Sequence, residues 1–275
     1  MLISATSALV LNWTSKEIWK TSNARNYFDS LDLSEGDDLF QEFSELENYM
    51  LTQGVTNRKY FVRKQAVAFL ERCHTDSQPC QVIILAAGIS PLSVELATLF
   101  PGIVIFDVDK HGMKEKSQFL KNLYTPIRFV TCDITDIGLL DETLKQYGWN
   151  PADPTLVIIE GIVYYLTESD LKNILGFFGE HHAKLIGDFV LKPEYVHENN
   201  RVFGVEVFRK IKEFVGLDFV NFYSPDHFMS LLRECGFSKA QRFTMDEIQW
   251  ERTGKKEPFA LKDSGWITLV TDGLS

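Results

Sequence analysis

Ala86, Ala87 and Gly88 follow the apolar run VIIL and lead into a helix-like pattern, VIILAAGISPLSVELA (82–97). Residues this small let a ligand come close to the backbone. A pyrophosphate asks for more, namely several glycines and a helix N-terminus aimed at it. Pro91 stands where later glycines would be, which disfavours a dinucleotide and favours a phosphate-free cofactor such as S-adenosylmethionine. A tight turn without a ligand is the plainer alternative. The next apolar run ends in IFDVDK, with Asp107 and Asp109 two residues apart and so on one side of an extended strand. A carboxylate there can accept both ribose hydroxyls, although Asp109 could equally cap a helix. Asp133 and Ile134, within CDITD, offer a carboxylate for an adenine amino group and an apolar flank for its ring; a capping aspartate is the alternative. Finally, IIEGIVYYLTESDL places Glu160 at a strand end and Gly161 beside it for backbone clearance, with Tyr164 and Tyr165 turning inward over a site. Each group has an ordinary structural role available; four at successive strand ends make a pattern.

Groups at strand ends need strands to carry them. Short apolar runs at 82–86, 103–106, 127–131, 155–160 and 183–191 alternate with helix-period segments at 91–100, 110–122, 138–146 and 168–178. That alternation predicts crossover units and a parallel sheet, and the Val/Ile richness suits strands covered on both faces. Thr167, three residues before Asp170, predicts a helix cap. A segment over 193–222 reads as mostly helix, with VFGVEVFRKIKEFV (202–215) at helical spacing, and another helix over 225–235 stops at Gly236. Two last strands, near 239–244 and 266–271, are expected to pair antiparallel at one edge. The expected fold is therefore α/β: a Rossmann-like, mostly parallel seven-stranded sheet with helices on both faces. Residues 1–75 read as a helical cap on the sheet's carboxyl edge and 76–275 as the ligand-binding domain, since open α/β sheets bind ligands at that edge.

The chain has 275 residues, 45% of them hydrophobic, enough for one large core. Its net charge is −10 and it has no basic block, so nucleic acid is not an expected partner. No apolar run approaches the roughly 20 residues that span a bilayer, and MLISATSALVLNW lacks the basic flank of a signal peptide. Four scattered cysteines without a C-x-x-C suggest neither a zinc site nor a disulfide framework, so the expectation is a cytoplasmic protein with no metal and no membrane partner.

Together NRKYFVRKQAV (57–67), the LAAG turn, FDVDK, CDITD, IIEGIVYYLTESDLKNIL and NRVFGVEVFRKIKE resemble the leucine carboxyl methyltransferase, or protein phosphatase methyltransferase, family. The resemblance runs from about Asn57 to the last strand, and its most specific elements are the NR-x-YF-x-R segment and the glutamate-to-tyrosine stretch. It implies a class I methyltransferase fold with S-adenosylmethionine as cofactor and S-adenosylhomocysteine as product. It also implies that Arg58 pairs with the methionine carboxylate, Asp109 holds the ribose, Asp133 and Ile134 flank the adenine, and Glu160 lies near the methionine amino group. A guanidinium grips a carboxylate through two parallel hydrogen bonds, which suits Arg58. Asp107 matches an acidic position without an assigned contact. The sequence departs from the family in carrying Ala86 where G-A-G begins, and a cofactor-contacting lysine of the cap corresponds to Lys16 or Lys20.

The implied reaction is O-methylation, with Tyr164 and Tyr165 positioning the acceptor. A carboxylate acceptor is ionised at neutral pH and needs no general base, whereas a phenol benefits from one. His181 and His182 fall at a helix end, and His197 and His227 read as surface residues, so a methyl ester of a small acid or of a protein C-terminus is favoured. The alternatives are a phenolic or enolic hydroxyl of an aromatic polyketide-like molecule, and a non-catalytic protein that only binds the cofactor.

Overall fold

A computed structural model describes residues 5–121, 127–216 and 218–274. The chain opens with helices α1 (Ala5–Asn12), α2 (Ser22–Asp29), α3 (Asp37–Gln41) and the 31-residue α4 (Glu45–Thr75). Helix α4 starts where the sequence satisfies its first free N–H groups: the Ser44 hydroxyl accepts from Glu47 N–H and the Glu47 carboxylate accepts from Ser44 N–H. The alternating region follows as β1 (Gln81–Leu85), α5 (Leu92–Leu99), β2 (Val104–Asp109), α6 (Met113–Leu120), β3 (Ile127–Thr131), α7 (Ile137–Gln146), β4 (Thr155–Ile159), α8 (Glu168–Glu180) and β5 (Lys184–Val190). It ends with α9 (Arg201–Val215), α10 (Pro225–Glu234), β6 (Gln241–Phe243), α11 (Met245–Thr253) and β7 (Ile267–Asp272).

The seven strands form one sheet in the order β3-β2-β1-β4-β5-β7-β6. Strands β1 to β5 run parallel, and β7 lies antiparallel between β5 and β6. The architecture is the Rossmann-like, mostly parallel sheet that the alternation predicted, with the antiparallel last strand of the class I methyltransferase fold that the family resemblance implied. Every residue of β1 and β4 is buried, which explains their unbroken apolar runs. Strand order reverses between β1 and β4, so a crevice opens beyond their carboxyl ends. Register then fixes what lines that crevice. Leu85 pairs with Val108 and Ile159, and Ile159 pairs with Gly187. The next residues, Ala86, Asp109, Glu160 and Asp188, therefore sit side by side along one rim.

The helical N-terminal segment is pinned to this sheet by Glu95 of α5. Its buried carboxylate accepts from the backbone of Lys20 and Thr21, from the Thr21 hydroxyl, and from Arg63 of α4 at 2.6 Å. Trp13 and Phe43 pack edge to face at 5.2 Å beneath the same helices. Helix α9 is moored to the start of α4: the Lys210 ammonium donates to Glu42 O at 2.8 Å, pairs with Glu47 at 3.3 Å and lies over the Phe43 ring.

Several boundaries differ from those the sequence suggested. Strand β2 continues to Asp109, so both aspartates belong to the strand itself. The expected helix over 110–122 begins only at Met113, after Gly112 (φ +76°), and its last residue lies outside the described ones. Over 193–222 the continuous helix is confined to Arg201–Val215; single 3-10 turns at Pro193–Tyr195 and Glu198–Asn200 precede it, and Gly216 ends it in the left-handed conformation (φ +68°). Helix α11, between the two edge strands, was not anticipated, although Thr244 and Glu247 form a capping box at its start.

Candidate functional site

The turn after β1 carries the rim. Ala86 has φ +51° and Gly88 φ +49°, both left-handed. Such a backbone costs a non-glycine residue about 1–2 kcal/mol, so Ala86 persists only because its surroundings hold it there. One of those surroundings is Asp109, whose Oδ2 accepts from Gly88 N–H at 2.9 Å while Oδ1 accepts from His111 N–H at 3.2 Å. Ser7, Val10 and Leu11 of α1 cover the turn and, with Arg58, Lys59, Ala86–Ser90, Glu160, Gly161, Tyr164 and Tyr165, enclose a cavity of about 120 Å³.

Three buried charges, Arg58, Lys59 and Glu160, line it, and a fourth, Asp188, lies fully buried against Arg58. Arg58 Nε and Lys59 Nζ each reach Glu160 Oε1 at 2.9 Å, and Arg58 Nη1 lies 3.6 Å from Asp188 Oδ2 and 3.4 Å from the Tyr164 hydroxyl. Asp188 Oδ1 accepts from Gly161 N–H at 2.6 Å. Two cations and two anions thus balance away from water, as buried charges must. Burial pushes the Glu160 carboxyl up, but Lys59 and Arg58 outweigh it and hold the group below its ordinary range. Asp188 meets a cation only through the longer contact to Arg58, and burial, with Glu160 nearby, outweighs Arg58 and the Gly161 N–H and pushes it up to about 6. Burial likewise raises Tyr164 to about 12 and Tyr165 well above its ordinary value, so both remain neutral phenols. Burial lowers Lys59, against the pull of Glu160.

Gly161 (φ +75°) has a specific task here. A Cβ on it would lie 3.3 Å from Arg58 Nη2, so its clearance serves the guanidinium.

The other residues singled out in the sequence fall elsewhere. Asp107 is fully buried and lies outside the cavity lining, where it takes the Lys116 ammonium at 2.7 Å and the Ser93 hydroxyl at 2.6 Å. Asp133 pairs with Lys110 at 2.8 Å and with Thr135, which hold it down at about 2, and Ile134 is buried next to it; neither lines the cavity. Lys16 pairs with Asp29 and Lys20 Nζ donates to Glu17 O, so neither reaches the pocket. His227 meets Glu168 at 2.9 Å on the surface, His197 accepts from Asn199 N–H, and His181 lies against Trp149. Sequence reasoning missed Lys59 and Asp188. Asp188 had a faint signal, since a charged residue inside an apolar strand (AKLIGDFVL) needs a partner to be there; Lys59 had none until α4 is seen to be buried at that face.

The donor set fits the α-amino-acid end of S-adenosylmethionine. Glu160 can receive an ammonium, while Arg58 and Lys59 can receive a carboxylate, with Asp188 behind Arg58 as its second counter-charge. Asp109, at the end of β2, lies outside the cavity lining and accepts from Gly88 and His111 N–H, so it holds the turn, and the small residues of the turn leave the backbone accessible. The sequence model of leucine carboxyl methyltransferase matches residues 19–179, well over half of the chain. The chain belongs to the leucine carboxyl methyltransferase family. It is a methyltransferase, and S-adenosylmethionine is its cofactor. Among solved structures, a DUF574 family protein from Streptomyces avermitilis shares the fold at a TM-score of 0.63 and 17% identity, with 98% of this chain and 97% of that one covered. A candidate methyltransferase from Thermobifida fusca superposes at 0.65 with 12% identity, over 96% and 93% of the two chains. No curated protein sequence matches this methyltransferase. Among its described residues no helix is long and apolar enough to cross a membrane, and no group of three or more His, Cys, Asp or Glu could hold a metal ion.

Proposed function

We propose that this methyltransferase is an O-methyltransferase that esterifies a carboxylic acid with an apolar body. The observation that carries this reading lies beyond Arg58, Tyr164 and Tyr165. These three residues also border a second, apolar chamber of about 40 Å³, whose walls include Leu9, Trp13, Leu51, Val55, Phe208 and Trp266. Arg58 is the one charged residue of that lining among the described residues. An acceptor that arrives as an anion suits one cation in an apolar room, and it needs no base to remove a proton. The two neutral tyrosines can donate hydrogen bonds to such an oxygen but cannot take a proton from a phenol near neutral pH.

S-adenosylmethionine supplies a methyl group on a sulfonium already primed for displacement. The chain's task is accordingly alignment, which is worth several kcal/mol when the reacting atoms are held in contact. In this reading Glu160 and Asp109 bind the ammonium and ribose ends of the cofactor, Arg58 and Lys59 bind its carboxylate, and the chamber walls keep water from the acceptor. Asp133 and Ile134 remain candidates for the adenine end. Residues 1–75 act as the cap that carries α1 and α4 to the site, with 76–275 as the cofactor-binding domain; the four cysteines, all free, suit a reducing cytoplasm.

The aromatic walls, Trp13, Phe208 and Trp266, favour one second reading, methylation of a phenolic or enolic hydroxyl on an aromatic molecule. An acceptor panel with labelled methyl groups separates the readings, because methyl esters are released by mild alkali and aryl methyl ethers are not. Label confined to alkali-stable products from phenols would reverse the order. Label in no product, from acids, phenols, C-terminal peptides or cell extract, would leave a protein that binds the cofactor without using it.

A further inference from the structure

We infer that Lys116 of α6 is a positioning residue for the cofactor turn, and that Asp107 acts through it. Resting on the methyltransferase reading, this assigns a role to the most deeply buried lysine outside the pocket. The Lys116 ammonium donates to Gly88 O at 3.0 Å and Ser90 O at 3.1 Å, and it pairs with Asp107 at 2.7 Å. All three of its donors are thus directed, and the side chain is 1% exposed. Gly88 is consequently held on both sides of its residue: its N–H by Asp109 and its C=O by Lys116.

Such bracing has a purpose in this turn. Ala86 and Gly88 both adopt left-handed φ, and Ala86 does so against its own Cβ. A turn that must store this strain, and present Gly88 and Asp109 in fixed places, loses affinity if it must first be ordered by its ligand. Lysine is suited to the work because a compact ammonium with three donors fits between two carbonyls and a carboxylate. Asp107 supplies the counter-charge that lets that ammonium be buried, and Ser93 steadies the carboxylate.

The test compares wild type, Lys116→Met and the double variant Lys116→Met/Asp107→Asn. Affinity for S-adenosylmethionine is measured by calorimetry, KM for the cofactor and kcat by labelled methyl transfer, and folding by thermal midpoint. Lys116→Met is expected to weaken cofactor affinity and raise its KM roughly 10- to 100-fold. Its kcat at saturating cofactor is expected to change far less. The double variant, which no longer buries an unpaired carboxylate, should recover the thermal midpoint while cofactor affinity stays low. Recovery of affinity along with stability would show that Lys116 merely neutralises Asp107, and unchanged affinity in the single variant would equally overturn the inference. A wild-type protein that fails to bind S-adenosylmethionine would sink the cofactor reading instead.

Discussion

The two chambers that meet at Arg58 are built by different means. The polar one is founded on the sheet: register brings Ala86, Asp109, Glu160 and Asp188 into line along one rim, and α1 with Arg58 and Lys59 of α4 closes over Ala86 and Glu160. The apolar one is made by packing of distant segments, α1, α4, α9 and the start of β7, with no backbone ladder to align them. A sheet edge can keep a cofactor seat constant while the elements over it vary, which is how one fold serves different acceptors. Among the described residues the chambers share only Arg58, the two tyrosines and two residues of α1, Thr6 and Val10.

The comparison breaks most visibly at that shared point. Arg58→Ala leaves Glu160 and Asp188 buried with fewer counter-charges, so stability should fall by about 3–5 kcal/mol and turnover should vanish with both substrates. Retained cofactor affinity in calorimetry would show that the guanidinium belongs to the acceptor side alone. Glu160→Gln should sharpen the division, costing about 1–3 kcal/mol of S-adenosylmethionine affinity with little change in acceptor KM. Equal losses for both ligands would mean the chambers are not separate.

Asp188 gives the polar side a pH signature. Its folded pKa, about 6, lies above its ordinary 3.8, so between these values the folded chain binds more protons than the unfolded one. Stability contributed by the protonated group is present at low pH and is lost as pH rises to about 6, a change on the order of 1–3 kcal/mol. Subtracting the denaturation curve of Asp188→Asn from that of wild type should show this slope; parallel curves across the window would refute it. Glu160, whose folded pKa is lowered, acts in the opposite sense, adding stability above its ordinary 4.5 that is lost as pH falls.

On the apolar side, Val55→Phe narrows the chamber and should raise acceptor KM about tenfold while leaving cofactor affinity alone, at a packing cost of about 1–3 kcal/mol. The smallest effect belongs to Ala86→Gly. Relief of the left-handed alanine is offset by a more flexible unfolded chain, so stability should shift by under about 1 kcal/mol and cofactor affinity should hold or improve. A clear loss of affinity would show that the Ala86 methyl group contacts the cofactor productively.

What could be read from the sequence follows the same division. Strand ends announce themselves through apolar runs, so the places of Glu160 and the turn at the cavity and of Asp109 beside the turn were legible, as was the antiparallel edge. Arg58 was legible through the family motif, but its neighbours were not. Lys59 reads as an ordinary solvated lysine until α4 is seen to be buried at that face, and Asp188 sits in a strand otherwise written in apolar residues. Asp107 and Asp109 share a face of β2, as their spacing required; which of them reaches the rim depends on where the strand ends, and periodicity does not mark ends. The helix α11 was announced by Thr244 and Glu247, a pairing that local inspection could have found. The apolar chamber had no such announcement, since its walls come from segments up to about 260 residues apart that only tertiary structure brings together.

Helix α9 supplies Phe208 to the chamber wall, and two residues later its Lys210 is tied to Glu42 O and to Glu47 in the first turn of the helix that bears Arg58. Loosening one therefore loosens the other. Under the proposed assignment, a larger acceptor cannot simply push that wall outward as an independent flap: the displacement would tug on the rod that carries Arg58, so tolerance for bulk and hold on the methyl donor would be mechanically geared together.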